Sequence, residues 1–310
     1  MSKYLVFGHK NPDTDTIASA IAMAYFLEKT GYEAEPVALG NPNEETLFAL
    51  NYFNVEQPRI IETAANETDR VALVDHNEPQ QSVADIDQVQ VDYVVDHHRI
   101  AGFETAHPLY YRAEPIGCTA TVLLKMFKEH DLDIPNAIAG LMLSAIISDT
   151  LLFKSPTCTS QDEMAAHELA KLAQVDLDVY GLELLKAGTD LSSKTIDQLL
   201  NLDAKTFEMN GVNVRLAQVN AIGFEEMKSK KEELIQAMTQ AIVEEGYGLF
   251  GLIITDVLDN DSIAFFQGQY LDRAEHAFKQ TIVDSELSLP GVVSRKKQVV
   301  PQLTESFDAL

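Results

Sequence analysis

Six side chains of metal-binding type stand at the ends of apolar stretches of this chain. His9, Asp13 and Asp15 fall within His9-Lys10-Asn11-Pro12-Asp13-Thr14-Asp15-Thr16, and Asp75 follows Val71-Ala72-Leu73-Val74. His97 belongs to Asp96-His97-His98 after Val91 to Val95, and Asp149 comes near the end of an apolar segment through Ile138, Leu141, Met142 and Ile146. Taken singly, each has an ordinary explanation. An Asp before a helix caps it, with Asp15 or Thr14 the expected cap here, and a lone His is a hydrogen-bonded residue. Taken together they supply two imidazoles and four carboxylates. Charged groups directly after buried strands are costly unless solvated, paired or bound to metal.

Carboxylate and imidazole without thiolate suit manganese or magnesium better than a structural zinc site, and manganese is the first choice. The two carboxylates of Asp13 and Asp15 can point to different neighbouring sites, which suits a pair of cations. Two cations about 3.5–4 Å apart share a bridging carboxylate and a bridging water, lower the pKa of that water and deliver hydroxide in line to phosphorus. Asp75 and Asp149 are the candidate bridges, an assignment that spacing does not make. A second signal is Ser294-Arg295-Lys296-Lys297-Gln298, three consecutive cations in an acidic chain. A short basic run is ordinarily solvated surface. Facing a metal pair, Arg295 would hold phosphate oxygens bidentately and Lys296 would neutralise a leaving phosphate.

The elements that must carry these groups follow from the hydropathy pattern. Tyr4 to Phe7, Val71 to Val74 and Val91 to Val95 read as strands ending in polar tips, and Ile17 to Leu27 as a buried helix. Strand, tip and helix in repetition predict a mainly parallel α/β sheet, with ligands gathered beyond the carboxyl ends of its strands. Pro135 suits the first turn of the helix that delivers Asp149. Around Lys186 to Lys194 the apolar periodicity fades. This places domains at 1–187 and 196–310 with a flexible linker at 188–195. The second domain reads as a smaller, mixed α/β unit. Asn210-Gly211 marks a two-residue hairpin, Phe224, Met227, Leu234, Met238 and Ile242 outline one long helix ending near Gly246, and Leu249 to Val257 and Ser262 to Phe266 are strands.

Composition sets the limits. A length of 310 residues predicts two domains, each large enough for its own core. Forty-eight acidic against 23 basic residues leave a net charge of −25. That field opposes general binding to nucleic acid or anionic lipid. At 46% hydrophobic and 23% charged, the chain is nevertheless globular rather than an acidic disordered one. Cys118 and Cys158 form no paired motif and fit a reducing compartment. No leader pattern stands at the N-terminus, and no apolar run approaches the roughly eighteen residues of a membrane span. A soluble, cytoplasmic protein is expected.

At this point the motifs resemble those of the manganese-dependent, family II inorganic pyrophosphatases of the DHH phosphoesterase superfamily. The resemblance covers the whole chain. It is carried by His9 to Asp15, Val74-Asp75-His76-Asn77-Glu78, Asp96-His97-His98, Ser148-Asp149-Thr150 and the terminal Ser294 to Gln298. It implies an N-terminal DHH domain holding two manganese ions, a C-terminal domain holding basic substrate ligands, and an active site in the cleft between them. It further implies that His9, Asp13, Asp75 and Asp149 bind one manganese, and Asp15, Asp75, His97 and Asp149 the other. His98, Lys205, Arg295 and Lys296 correspond to pyrophosphate ligands, with His98 a proton donor to the leaving phosphate. Lys205 is promoted from an ordinary strand lysine only by this correspondence. His76 and Asn77 correspond to residues supporting the ligands. The reaction implied is hydrolysis of pyrophosphate to two orthophosphates by a hydroxide bridging the two metals, with Asp75, Asp149 and His98 at the reacting centre. Additional magnesium or manganese arrives on the substrate. Members are usually homodimers joined through the N-terminal domain, and the spacing between Asp75 and Asp96 leaves no room for a nucleotide-binding regulatory insert.

Two rivals differ in class. One is an exopolyphosphatase or a phosphoesterase of short oligonucleotides, against which stand the acidic surface and the lack of a GGGH element. The other is a manganese-binding sensor without turnover, which leaves Arg295 and Lys296 unexplained.

Overall fold

The computed structural model describes residues 3–189 and 191–309, so that Asp190, within the expected linker, lies outside the described residues. The chain divides into two compact units, Met1–Gly188 and Thr189–Leu310.

In the first unit, β1 (Tyr4–Phe7) leads into α1 (Thr14–Lys29), followed by β2 (Ala34–Pro36), α2 (Glu44–Tyr52), β3 (Arg70–Val74), β4 (Gln90–Asp96) and β5 (Tyr110–Ala113). The helices α3 (Thr119–Glu129), α4 (Asn136–Thr150), α5 (Ser160–Ala173) and α6 (Leu177–Gly188) complete it. The sheet runs β2-β1-β3-β4-β5 with every pairing parallel, as the apolar runs predict. Leu5, Phe7, Val71, Leu73 and Val94 fill one face of it. Parallel strands covered on both faces have no polar alternation, which is why these runs read as continuous hydrophobes.

The regular repetition of strand, tip and helix does not hold beyond the first unit of the pattern. β3 is followed only by two single 3-10 turns, Pro79–Gln81 and Ile86–Gln88, and β4 reaches β5 through an irregular segment. Pro79 and the hydrogen-bonded turn it opens, closed by Ser82 N–H to the Pro79 carbonyl at 3.1 Å, take the place of a helix. Pro135 stands just before α4 rather than in its first turn.

The second unit carries α7 (Ile196–Asn201), β6 (Ala204–Met209), β7 (Val212–Ala221), α8 (Glu225–Ser229), α9 (Lys231–Glu245), β8 (Leu249–Asp256), β9 (Asp261–Gly268), α10 (Leu271–Phe278), β10 (Glu286–Leu289) and α11 (Val300–Asp308). Its sheet, β10-β9-β8-β7-β6, is mixed: β7 and β8 are parallel and the remaining pairs antiparallel. The turn between β6 and β7 uses Asn210 at φ 46° and Gly211 at φ 79°. Positive φ at both central residues matches the twist of a two-residue hairpin, hence Asn-Gly. Two apolar clusters flank this sheet. Leu234, Met238 and Phe265 belong to one, and Phe266, Leu303 and Phe307 to the other.

The single long helix expected from Phe224 to Ile242 is two helices, broken at Lys230 with φ −95° and ψ 2°. There the Lys230 ammonium donates to the Leu191 carbonyl at 2.8 Å. Apolar spacing alone does not register that break, because Met227 and Leu234 are both buried on either side of it. Among the described residues no helix is long and apolar enough to cross a membrane.

Candidate metal centre

The loop after β1 delivers the first three groups. Asp13, not Asp15 or Thr14, caps α1, its carboxylate accepting the Thr16 N–H at 3.0 Å. Asp15 consequently lies in the first helical turn rather than in the loop. It is fully buried and accepts from the Ser19 hydroxyl at 2.6 Å and the Thr119 N–H at 2.7 Å, with Ala120 N–H at 3.3 Å. Those two amides open α3, whose own N-cap, Cys118, makes no side-chain cap. Asp15 therefore serves as the cap of a second helix from 104 residues away. Charge-assisted bonds of this kind offset much of the cost of burying a carboxylate.

Asp75 leaves β3 at φ 58°, in the left-handed region that Asp tolerates better than most residues. Its N–H is held by the Val95 carbonyl at 3.0 Å. The hydroxyl of Thr16 donates to one carboxylate oxygen at 2.7 Å and that of Thr119 to the other at 3.2 Å. His9 Nε2 lies 3.4 Å from Asp75 Oδ2 and from Asp13 Oδ2, and His97 Nε2 lies 3.3 Å from Asp75 Oδ1. His97 Nε2 is also 3.8 Å from Asp149 Oδ2 and 4.0 Å from Asp15 Oδ2. Three sets have ligand atoms mutually within 4.8 Å: His9, Asp13 and Asp75; Asp15, His97 and Asp149; and Asp75, His97 and His98. All six groups expected to ligate metal are thus gathered around the carboxyl ends of β1, β3 and β4 and the end of α4.

Backbone carbonyls set the tautomers. His9 Nδ1 lies 2.8 Å from the Lys10 carbonyl and His97 Nδ1 3.0 Å from that of Ile116. A carbonyl can only accept, so each Nδ1 carries a hydrogen and each Nε2 is the nitrogen that faces the carboxylates, protonated without metal and free to offer its lone pair to a cation once that proton leaves. The Ile116 segment is itself fixed by Asp162, which accepts the Gly117 N–H at 2.9 Å and the Thr121 hydroxyl at 2.7 Å. Asp149 sits on the last turn of α4, after which Leu151, Leu152 and Phe153 all adopt positive φ of 49°, 50° and 70°. Bulky residues rarely do so, and such strain persists where surrounding structure over-determines it.

The electrostatics describe a centre short of positive charge. Burial opposes a charge on His9, yet hydrogen bonds to Asp13 and Asp75 outweigh it and push the imidazole up to about 11. Burial likewise opposes His97, and Asp75 and Asp15 push it up to about 9. Burial together with the Asp75 charge raises Asp15 to about 7, and burial with the Asp15 and Asp75 charges raises Asp149. Burial works against ionisation of Asp75 too, but the two imidazoles hold it well below the usual carboxylate range. In the protein without metal, protons on His9 and His97 supply the charge that cations would. The oxygen and nitrogen donors suit hard or borderline divalent ions. Cys118 is adjacent, but burial and the surrounding carboxylates raise its thiol, so it stays protonated and apart from the donor set. The residues present fit manganese.

His98 differs from His97. Its Nδ1 lies 3.0 Å from Asp96 Oδ1, a bond that raises its pKa, and its side chain is 52% exposed. Asp96 itself is buried and accepts from Asn77 Nδ2 at 2.7 Å and from the His97 and His98 N–H groups at 2.8 and 3.0 Å. Asp96 is thus the anchor of the histidine pair, a role the sequence reading did not give it. It also passed over Glu45, which accepts the Thr14 hydroxyl at 2.7 Å and the Ser148 hydroxyl, each adjacent in sequence to a candidate ligand. A Glu inside an ordinary amphipathic helix carries no signal of such a contact. His76 is buried, with Nδ1 at 2.9 Å from the Val74 carbonyl and Nε2 without a partner.

The basic groups belong to the second unit. Lys205 is exposed on β6, and Lys296 and Lys297 are exposed on a turn of π-helix, Arg295–Val299. Arg295 is not the solvated cation of an ordinary basic run: it is 5% exposed, bonded to Asp203 and to the Leu216 carbonyl. Ser294 caps the turn by accepting the Lys297 N–H at 3.2 Å, and Gln298 accepts the Val293 and Ser294 N–H groups at 2.9 and 3.0 Å. The serine and glutamine of the motif thus build the turn that displays the lysines.

Residues 3–146 match the DHH family, N-terminal domain, and residues 182–306 match the DHHA2 domain. The manganese-dependent inorganic pyrophosphatase of Bacillus subtilis is 58% identical over 307 residues, covering 99% of each chain. A Brevibacillus brevis protein assigned the same activity is 58% identical over 310 residues and 100% of each chain. Among solved structures, a Methanococcus jannaschii protein assigned to the family II inorganic pyrophosphatases is 39% identical, covers 99% of each chain and has a TM-score of 0.62. An exopolyphosphatase-related protein of Bacteroides fragilis, 13% identical with a TM-score of 0.52 and covering 99% of this chain and 92% of its own, shares the fold. Full-length identity of this degree, on a chain that converges the DHH motifs at one sheet edge, makes it a member of the manganese-dependent, family II inorganic pyrophosphatases of the DHH superfamily.

Proposed function

We propose that this chain hydrolyses inorganic pyrophosphate to two orthophosphates, using two manganese ions held by His9, Asp13, Asp15, Asp75, His97 and Asp149. The observation that carries the reading is the placement of Asp75 within reach of both His9 and His97, each presenting Nε2. Bound manganese would acidify a shared water to hydroxide, the nucleophile for phosphorus. The protein's own groups do the rest. Asp75, with Asp149, holds the two ligand sets together, and the bonds from Thr16 and Thr119 to its two oxygens fix the orientation of its carboxylate. Protonated His98, oriented by Asp96, donates to the leaving phosphate. Arg295, Lys205 and Lys296 balance charge on the substrate oxygens, the main task in phosphoryl transfer. Further magnesium or manganese accompanies the substrate.

On this reading residues 1–187 form the metal-binding catalytic domain and 196–310 the substrate-binding domain, joined by a linker at 188–195. The reaction requires both to act on one pyrophosphate. We further place the protein in the cytoplasm as a homodimer joined through its N-terminal domain, without nucleic-acid or membrane partners. A net charge of −25 supports the small, metal-complexed anion over a long polyanion. A phosphate-release assay on pyrophosphate, tripolyphosphate and a short oligonucleotide, in manganese and then magnesium, tests the reading. Turnover of pyrophosphate with manganese is expected. Preference for either longer substrate points to the rival phosphoesterases, and binding of manganese without turnover to a sensor.

A further inference from the structure

Arg295 ties the start of β6, the edge strand that carries Lys205, to β7 beside it. Its Nη2 donates to Asp203 Oδ1 at 2.9 Å and its Nη1 to the Leu216 carbonyl at 3.3 Å. Leu216 is the residue of β7 opposite Lys205 of β6, and Asp203 precedes Lys205 by two positions. The Arg295 N–H is in turn held by Gln218 Oε1 at 2.9 Å, and Gln218 Nε2 donates to the Val293 carbonyl at 3.1 Å. One guanidinium therefore ties the turn that displays Lys296 to the strand that displays Lys205.

We infer that Asp203 is the positioning residue of this cation cluster, its carboxylate fixing Arg295 and thereby the spacing of Lys205 and Lys296. The inference rests on the pyrophosphate reading above. An exposed ion pair would carry no such weight. This pair is different, because the arginine side chain is 6% exposed and only the aspartate, at 60%, faces water. Arg295 Nε is already buried without a partner. Removing Asp203 would leave a buried cation with a single backbone acceptor, an arrangement that side chains escape by moving. Asp203 stands immediately before β6 with φ 39°, in the left-handed region that Asp tolerates better than most residues.

The test compares Asp203→Ala, Asp203→Asn, Arg295→Ala and the Asp203→Ala/Arg295→Ala double variant of the full chain with manganese and pyrophosphate. Because Asp203 is exposed, the fold survives its truncation, which circular dichroism verifies. Asp203→Ala should raise KM by about tenfold or more while changing kcat less than about threefold. Manganese content, read directly by atomic absorption, should equal that of the wild type. Asp203→Asn retains an acceptor for Nη2 and should recover to within about threefold of the wild-type KM. The double variant should be no worse than Arg295→Ala alone, as for residues acting as one unit. A KM for Asp203→Ala within about twofold of wild type, or below it, overturns the inference, and so do multiplying effects in the double variant. If the wild type hydrolyses pyrophosphate and Arg295→Ala is impaired, such a result falls on Asp203 alone. A wild type inert toward pyrophosphate removes the reading and the inference together.

Discussion

Asp75 faces two imidazoles at once, its Oδ2 lying 3.4 Å from His9 Nε2 and its Oδ1 3.3 Å from His97 Nε2. No other described carboxylate joins both histidines at these distances, so its charge is the one that both ligand sets share. Asp75→Asn keeps the shape, but because Thr16 and Thr119 donate to different oxygens of Asp75 it retains an acceptor for only one of them, and it loses all its charge. The fold should persist by circular dichroism. Bound manganese should fall to a minor fraction and activity by roughly a hundredfold or more. Near-normal turnover would remove Asp75 from the metal pair.

Metal binding should release protons. His9 and His97 are pushed up to about 11 and about 9, so both are protonated at neutral pH in the metal-free chain. A ligating imidazole must present a free lone pair, and manganese therefore displaces these protons. Calorimetry in two buffers of unlike ionisation enthalpy should give heats that differ by more than one proton's worth per chain near pH 7. Apparent affinity should climb as pH rises toward about 9. Identical heats in the two buffers would mean that these histidines are not ligands.

The same groups set how the metal-free chain responds to pH. The folded values of His9 and His97 exceed the ordinary 6.5, so their stabilisation is complete below about 6.5 and is lost as pH rises through about 9 and then about 11. Asp15, raised from 3.8 to about 7, favours the folded state only while it holds its proton, so its contribution also declines as pH rises toward 7. Asp75, depressed, acts in the opposite sense but over a lower range, its contribution being present above 3.8. In chelator, the melting temperature should therefore fall between pH 6.5 and 9. Saturating manganese should reverse the trend, its stabilising increment growing with pH. A melting temperature that rises over this interval in chelator contradicts the charge assignment.

What was legible beforehand divides by sequence distance. Asp75 and His97 are visible because each follows a run of buried hydrophobes, where a charge or imidazole is costly unless solvated, paired or bound to metal. The parallel sheet was visible for the same reason. The supporting contacts were not. Ser148 reaches Glu45 across 103 residues and Thr119 reaches Asp15 across 104, and no local pattern encodes such pairings. Likewise no local pattern links Arg295 to Asp203, 92 residues earlier, the carboxylate that holds its guanidinium in the fold. Local chemistry also misled at Asp13: spacing allowed either neighbour to cap α1, and only the β-region backbone of Asp13 decides it.

The orientation of His97 depends on a glycine. Its Nδ1 is held by the Ile116 carbonyl, and the next residue, Gly117, packs so closely that an added Cβ would stand 2.8 Å from Asp162 Oδ2 and 3.0 Å from Thr150 Cγ2. Asp162 cannot retreat cheaply, since it also holds the Thr121 hydroxyl and the Thr159 N–H that begins α5. Thr150 follows Asp149 directly, so a displacement there reaches a second candidate ligand. Gly117→Ala should cost about 1–3 kcal/mol of stability from overpacking. It should also weaken manganese binding by roughly tenfold through His97 and Asp149, although it touches neither. Titration with manganese followed by electron paramagnetic resonance reads the free ion directly and separates the two effects. A destabilised variant with unchanged manganese affinity would show that the Ile116 to Gly117 segment supports the fold alone and does not orient the site.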